Sequence, residues 1–475
     1  MSSFLSKLMG SNSGKGSTAA APAPTKSKVL NFADTAPSWD ELEEMVRAQH
    51  AALGVDFWAD VNDGPTHAAA LRRTFGSTEP IRVKLYRDHA AWCPYCHKVW
   101  LQLEEKRIPY VIEKINMRCY GDKPPAFLAK VPSGLLPVLE LDGRVVTEST
   151  VIMALLEASF PDHKPLMPPQ GTPQRARADS LMRLERRLFS DWLNWLCQSW
   201  GHDRAKAQFD ATMDAVAEAL EADGGPYFLG PELSLVDCTF APMLERINAS
   251  LAYYKGAYIR GRGRWPAVER WFDAMESRPT YMGTRSDFYT HAHDLPPQLG
   301  GCAMTAEGEP VAAALDGTDG VHWRLPLEPL TATSFPEPYS RGDDPPRDRL
   351  AAAAKLVRNR EAVVKFALRG PGQAGPRPVS APLCDPTAVP ALEHTAACDA
   401  ALRHLAHALL VGVEAKQVSP QAMQASPSAP LAGAPIVSAL EYMRDRVCVP
   451  RDLSYPAARQ FRAHANWVLD NLQAA

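Results

Sequence analysis

The sequence predicts an α/β unit, then an all-helical region, then a further mainly helical extension. Three observations carry this prediction. Between residues 80 and 160 the apolar period alternates between two and helical, in the order βαβ…ββα. From 173 to 292 it is helical throughout. Beyond residue 300 helical patterns return between proline-rich stretches, and 19 of the chain's 42 prolines lie there. A length of 475 residues accommodates about three domains. The division is a tail over 1–36, a helical N-terminal extension over 37–79, the α/β unit over 80–160, the helical domain over 173–292 and the extension over 300–475.

Each element has its own signal. Residues 1–33 contain no acid, four lysines and no arginine. They read as a disordered tail or as an organellar transit peptide, although transit peptides are usually Arg-rich. Residues 37–75 read as helical, opening at Trp39-Asp40-Glu41-Leu42. Ile81-Arg82-Val83-Lys84-Leu85-Tyr86 alternates apolar and polar, as a half-buried strand does. Cys93-Pro94-Tyr95-Cys96 follows a short loop and opens a helix to about Lys106. Pro109 to Ile115 is a second strand, which completes a unit of βαβ size.

Leu136–Leu141 and Arg144–Thr147 are two short strands around Asp142-Gly143, a two-residue turn that favours a hairpin. Pro137 removes a ladder donor, so it must lie at a strand end or in a special geometry. Ser149 to Ser159 is a helix. In the helical region Leu181, Leu184, Leu188, Trp192, Trp195 and Trp200 recur at near-helical spacing. Ser234 and Asp237 form a capping box, in which each side chain satisfies a backbone N–H at a helix start, with Leu233 placed for a hydrophobic staple.

Residues 295–345 are irregular, and helical patterns follow at 347–369, 391–412, 433–447 and 455–473. Leu350, Ala354, Val357, Val364 and Leu368 share one face of the first, with Gly370 as its C-cap. Phe461, Ala465, Val468 and Leu472 share one face of the last. Residues 371–390 are a Pro-rich loop and 416–435 a Ser/Ala/Pro/Gln-rich linker.

Composition excludes several classes. A net charge of −3, from 51 basic and 54 acidic residues, gives no global electrostatic case for a nucleic-acid binder. No apolar run is long enough for a transmembrane helix, which needs about 18 residues. Nine dispersed cysteines do not make a secreted disulfide scaffold. They read as those of an intracellular reducing compartment, cytoplasm or chloroplast stroma.

The chemistry concentrates at Cys93-Pro94-Tyr95-Cys96. Pro94 suits the first helical position, where a missing N–H costs nothing. Cys93 then caps the helix, where free backbone N–H groups and the helix dipole stabilise a thiolate. Cys96 lies in the first turn, within reach of a disulfide formed on Cys93. The competing reading, half of a zinc site, needs two more ligands, and this segment has no second Cys pair. No metal site is expected.

At these residues the chain resembles the soluble glutathione S-transferase superfamily: a thioredoxin-like domain joined to an all-helical one. The resemblance spans roughly 210 residues and rests on four motifs. These are Cys93-Pro94-Tyr95-Cys96, the segment Pro132 to Leu139 leading into the family's cis-proline at Pro137, the pair Glu148-Ser149, and the Ser234–Asp237 box. It implies that Leu136, just before Pro137, pairs its backbone with the cysteinyl part of glutathione. Glu148 and Ser149 would hold the γ-glutamyl end, and Lys123 the glycyl carboxylate. Read alone, Glu148 and Ser149 are a helix cap.

Cysteine at position 93 resembles the omega, lambda and dehydroascorbate-reductase types. Those members form a mixed disulfide with glutathione, their cosubstrate, and reduce small oxidised substrates or remove glutathione from adducts. The second cysteine is a glutaredoxin-like feature, so Cys93 is expected as nucleophile and Cys96 as an optional resolving thiol. The acceptor site is expected between the domains, with Tyr95, Trp192, Trp195 and Trp200 as candidate linings or, alternatively, as ordinary helix packing. Glutathione conjugation to electrophiles and a non-enzymatic scaffold acting through 300–475 are the alternative functions. A homodimer is a possible assembly.

The extension itself is less readable. His394 with Cys398, and His404 with His407, have spacings that metals can use on one helix face. Arg444, Arg446, Arg451, Arg459 and Arg462 cluster near Cys448. They read as local ion pairs with the interleaved Asp445 and Asp452, or as a partner- or anion-binding surface.

Overall fold

The computed structural model describes residues 36–375, 382–413 and 433–473. The acid-free tail, most of the 416–435 linker and part of the 371–390 loop lie outside the described residues. Strands β1 (Arg72–Arg73), β2 (Val83–Asp88), β3 (Tyr110–Ile115), β4 (Val138–Leu141) and β5 (Arg144–Thr147) form one sheet in the order β1-β3-β2-β4-β5. β2 and β3 are parallel, while β4 runs antiparallel to both β2 and β5. The turn between β4 and β5 has Asp142 at φ 52° and Gly143 at φ 80°. Positive φ at both central residues is what a tight hairpin turn needs, and Asp-Gly supplies it at little cost.

The helices are α1 (Trp39–Leu53), α2 (Pro94–Lys106), α3 (Pro125–Lys130), α4 (Ser149–Ser159), α5 (Pro173–Cys197), α6 (His202–Glu221), α7 (Leu235–Lys255) and α8 (Pro266–Glu276). They continue as α9 (Pro279–Met282), α10 (Phe288–Leu299), α11 (Glu309–Leu315), α12 (Pro345–Arg358), α13 (Arg360–Ala367), α14 (Thr395–Val411), α15 (Ala434–Arg446) and α16 (Tyr455–Gln473). The structure therefore has the expected fold class: a thioredoxin-like sheet with its helices, an all-helical region, and extra helices beyond. α7 opens on the Ser234–Asp237 capping box and is buried along its length, the central helix of its region.

One hydrophobic core runs from Ala68 in the sheet region through to Leu315 in α11. A second joins Leu42 and Val46 of α1 to α12 through α16. The face of Leu350, Ala354, Val357, Val364 and Leu368 and that of Phe461, Ala465, Val468 and Leu472 both point into this second core.

Three expectations need correction. The helix read over 37–75 ends at Leu53, because Gly54 takes a left-handed cap at φ 63° and Gly64-Pro65 bars a restart. The residues after it reach β1, which pairs with β3. The stretch 37–79 is also not a unit of its own. Trp39 Nε1 donates to Asp399 Oδ1 at 2.7 Å and Trp58 Nε1 to the Ala354 carbonyl at 2.9 Å, so α1 belongs with the C-terminal helices. Finally, the pattern over 347–369 splits at Asn359, whose side-chain amide takes the Lys355 carbonyl at 2.8 Å. An Asn that satisfies a backbone carbonyl itself offers the chain an alternative to continuing the helix.

Candidate active site

The loop after β2 ends at Cys93, the N-cap of α2, with Pro94 at the first helical position. Cys93 is 7% exposed and Cys96 1%. The Cys93 thiol is held below its ordinary range, first by a hydrogen bond from the Cys96 thiol and further by the backbone N–H groups of Cys96 and Tyr95; burial opposes them. Cys96 is pushed well above its range by burial and by its partner. The two thiols are thus unlike: Cys93 is the stronger acid of the pair and Cys96 the weaker.

Asp88, the last residue of β2, fixes this loop from within. Its Oδ2 accepts the Trp92 N–H at 2.6 Å, while its Oδ1 is buried without a hydrogen-bond partner. Ligand atoms of Asp88, Cys93 and Cys96 lie within 4.8 Å of one another. That trio offers two sulfurs and one oxygen, and is the one such group of three among the described residues. From α7, the buried Arg246 guanidinium donates to the carbonyl of Trp92, the residue before Cys93. Trp92 packs edge-on to Tyr120 at 5.0 Å, and Arg451 of the C-terminal extension lies 5.1 Å over its ring.

A cleft of about 460 Å3 opens between the sheet domain and α5 and α7; Tyr95 lines it, while Cys93 and Cys96 do not. Tyr95, Leu136, Pro137, Glu148 and Ser149 line it together. The Leu136–Pro137 peptide is cis, and β4 begins directly after it. Glu148 sits at φ 67°, a left-handed conformation that costs a non-glycine residue about 1–3 kcal/mol and persists where surroundings enforce it. Its side chain is exposed at the rim, while Ser149, the first residue of α4, is buried. Tyr95 stays 39% exposed, and burial of the remainder raises its hydroxyl pKa.

Lys98 and Glu185, both buried, pair at 2.8 Å on the cleft wall and tie α2 to α5. His97, fully enclosed, bonds Thr284 through Nε2 at 2.8 Å. Burial holds this imidazole down at about 4, so it is neutral at physiological pH.

Other expected residues lie elsewhere. Lys123 does not line the cleft: its Nζ donates to the Asn116 carbonyl at 2.6 Å, and burial lowers its pKa. Trp192 and Trp195 are core residues, Trp192 donating to Ser250 Oγ at 2.9 Å and Trp195 packing on Phe209. Trp200 is 73% exposed and lines no part of the cleft. The apolar wall is built instead by Phe189 and Met243. The His394–Cys398 and His404–His407 pairs do not gather three ligand atoms among the described residues.

Sequence reading missed Asp88, Arg246 and Arg186, the last an exposed cation of α5 that lines the cleft. A signal existed for two of them. Arg87 and Asp88 end a strand whose last four residues are all buried, and Glu245-Arg246 interrupts the apolar run of α7. Charges placed where burial is certain need a partner, and both find one beside Cys93.

Comparison with known proteins finds relatives of the first two regions of the chain. Residues 92–159 match the family described as Glutathione S-transferase, N-terminal domain, and residues 201–274 match Glutathione S-transferase, C-terminal domain. Glutathione S-transferase DHAR2 of Arabidopsis thaliana is 28% identical over 194 residues, covering 41% of this chain and 84% of that protein. A stringent starvation protein A homolog of Haemophilus ducreyi is 32% identical over 165 residues, covering 34% of this chain and 74% of that protein. Among solved structures, glutathione transferase Omega 3C from Trametes versicolor is 28% identical with a TM-score of 0.39, covering 44% of this chain and 86% of that one.

Proposed function

This chain belongs to the glutathione S-transferase superfamily, on its cysteine-type branch, and from that membership we propose that it is a glutathione-dependent thiol oxidoreductase working through a Cys93–glutathione mixed disulfide. The observation that carries the reading is the pairing of unlike thiols at the start of α2: a Cys93 held low by Cys96, two residues before Tyr95 on the wall of a cleft large enough for a tripeptide. Glutathione lies along Leu136 by its backbone, with its γ-glutamyl end at Glu148 and Ser149. Arg186 supplies the free cation of the cleft, because Lys123 is engaged with Asn116.

The Cys93 thiolate attacks the glutathionyl sulfur of a mixed disulfide. The substrate's S–S bond breaks, its thiolate leaves and takes a proton from water, and Cys93 carries glutathione. A second glutathione thiolate then attacks that sulfur, releasing glutathione disulfide and the Cys93 thiolate. In the dithiol route Cys96 attacks the Cys93 sulfur instead, releasing glutathione and leaving a Cys93–Cys96 disulfide, which two further glutathione thiolates reduce with release of glutathione disulfide. The Cys96 proton must first leave, and the unpartnered Asp88 Oδ1 is the oxygen placed to take it.

Mass spectrometry after exposure to glutathione disulfide tests the reading. One glutathione on Cys93 is expected, accumulating in Cys96→Ser and missing in Cys93→Ser. Thiol-transferase turnover retained by Cys93→Ser overturns it. Conjugation of glutathione to electrophiles, retained or raised in that variant, identifies the conjugating alternative.

A further inference from the structure

A second cavity, of about 430 Å3, lies outside this chemistry, between the C-terminal helices and the residues that follow β2. Its volume falls in the range of small-molecule sites. Leu356 of α12, Phe366 of α13, Met443 of α15 and Phe461 of α16 give it apolar walls. Lys355, Arg369, Arg446 and Arg451 surround those walls with four cations, and Asp452 is the one carboxylate among them.

That carboxylate is already used. Asp452 pairs with Arg451 at 2.7 Å. Arg446 stacks on the Tyr442 ring at 3.8 Å, reaches only the Tyr442 carbonyl at 3.5 Å, and keeps its Nε buried without a hydrogen-bond partner. Arg369 donates to the Asp385 carbonyl at 3.2 Å and has no carboxylate partner among the described residues. Lys355 has none either. The nearby His67 and His89 register the same field. Both are held below the ordinary histidine range, first by burial and next by Lys355 for His67 and Arg451 for His89. Three half-buried cations against apolar walls, with no carboxylate paired to them among the described residues, are costly alone and favourable around an anion.

We propose that this cavity binds a small amphiphilic anion, a carboxylate on a medium-length hydrocarbon chain. The chain lies against Leu356, Phe366, Met443 and Phe461, and the carboxylate takes the free donors of Arg446, Arg369 and Lys355. A neutral or cationic head leaves those donors unpaired, so the site selects by charge as well as by apolarity.

Calorimetric titration of the full chain with decanoate, with glutathione saturating, tests this. One decanoate per chain is expected, weakening with added salt. Decyltrimethylammonium, with the same tail and the opposite charge, should bind at least about ten-fold more weakly. The double variant Arg446→Gln/Lys355→Gln should lose about ten-fold or more for decanoate while keeping its thermal transition and its reaction at Cys93. Arg446→Lys with Lys355 intact should recover most of the affinity. The proposal is overturned by the absence of saturable decanoate binding at saturating glutathione, by equal binding of the two head groups, or by a double variant that folds and binds as the parent does.

Discussion

The core that runs from Ala68 to Leu315 and the core that joins Leu42 to Leu472 are assembled across different chain distances. In the first, the site grows from motifs a few residues long, and ties such as His97 to Thr284 span up to 187 residues. In the second, α1 crosses to helices some 300 residues away, and Gln49 donates to the Leu410 carbonyl at 2.8 Å. The two regions meet through α10, the C-terminal helix and the loop before Cys93. Arg462 pairs with Asp287 at 3.0 Å, the Val449 N–H meets Thr290 Oγ1 at 3.1 Å, and Arg451 covers Trp92, next to Cys93. The contrast teaches that the extension is more than an appendage: through Arg451 it packs on Trp92, in the loop that ends at Cys93.

Four measurements break or sharpen that contrast. Cys93→Ser should lower thiol transfer by about three orders of magnitude or more, with the denaturation midpoint nearly unmoved, because it removes the nucleophile from one core and nothing from the other. Leu42→Ala leaves a hole in the second core and should cost about 2–5 kcal/mol in urea unfolding. Thiol transfer should vanish in the same transition as the tryptophan signal. An early separate transition with activity intact would mean that the second core does not brace the first.

Cys96→Ala removes the proton that Cys93 leans on, so the Cys93 pKa should rise. Alkylation by iodoacetamide should then slow about ten-fold near pH 6 and converge with the parent at high pH. The smallest effect concerns His97, neutral in the fold at about 4 against an ordinary 6.5. Between those values the unfolded chain binds a proton that the folded chain refuses. Stability should therefore fall as pH drops from 6.5 to 4, by up to about 1.4 kcal/mol per pH unit from this group. Urea midpoints across that window should flatten in His97→Gln. An unchanged slope would assign the acid sensitivity to other groups, among them His67, also held at about 4.

Much of the fold was legible because its signals are local. The Asp142-Gly143 turn, the cap at Cys93 and the Ser234–Asp237 box depend on neighbours within four residues, and each forms in the structure. The helical faces of α12 and α16 needed only periodicity. Trp192 shows the limit: its spacing fits a core position and a cleft position equally, and only the approach of Ser250 across α7 decides. β1 was invisible because two residues carry no period, and α1 was assigned no partner because pattern says that a face is buried, never against what.

The arginines near the C-terminus draw the same line. The sequence by itself determined that five of them would crowd around Cys448 with two aspartates among them. Arg444 and Arg451 do take Asp445 and Asp452. Only the tertiary structure decided that Arg462 takes Asp287 and Arg459 takes Asp343, each more than a hundred residues away, and that Arg446 takes no carboxylate among the described residues. Charge pairing follows distance in space and local burial. Sequence spacing fixes those only for neighbours on one helix or turn, so the cation left over could be found nowhere but in the folded chain.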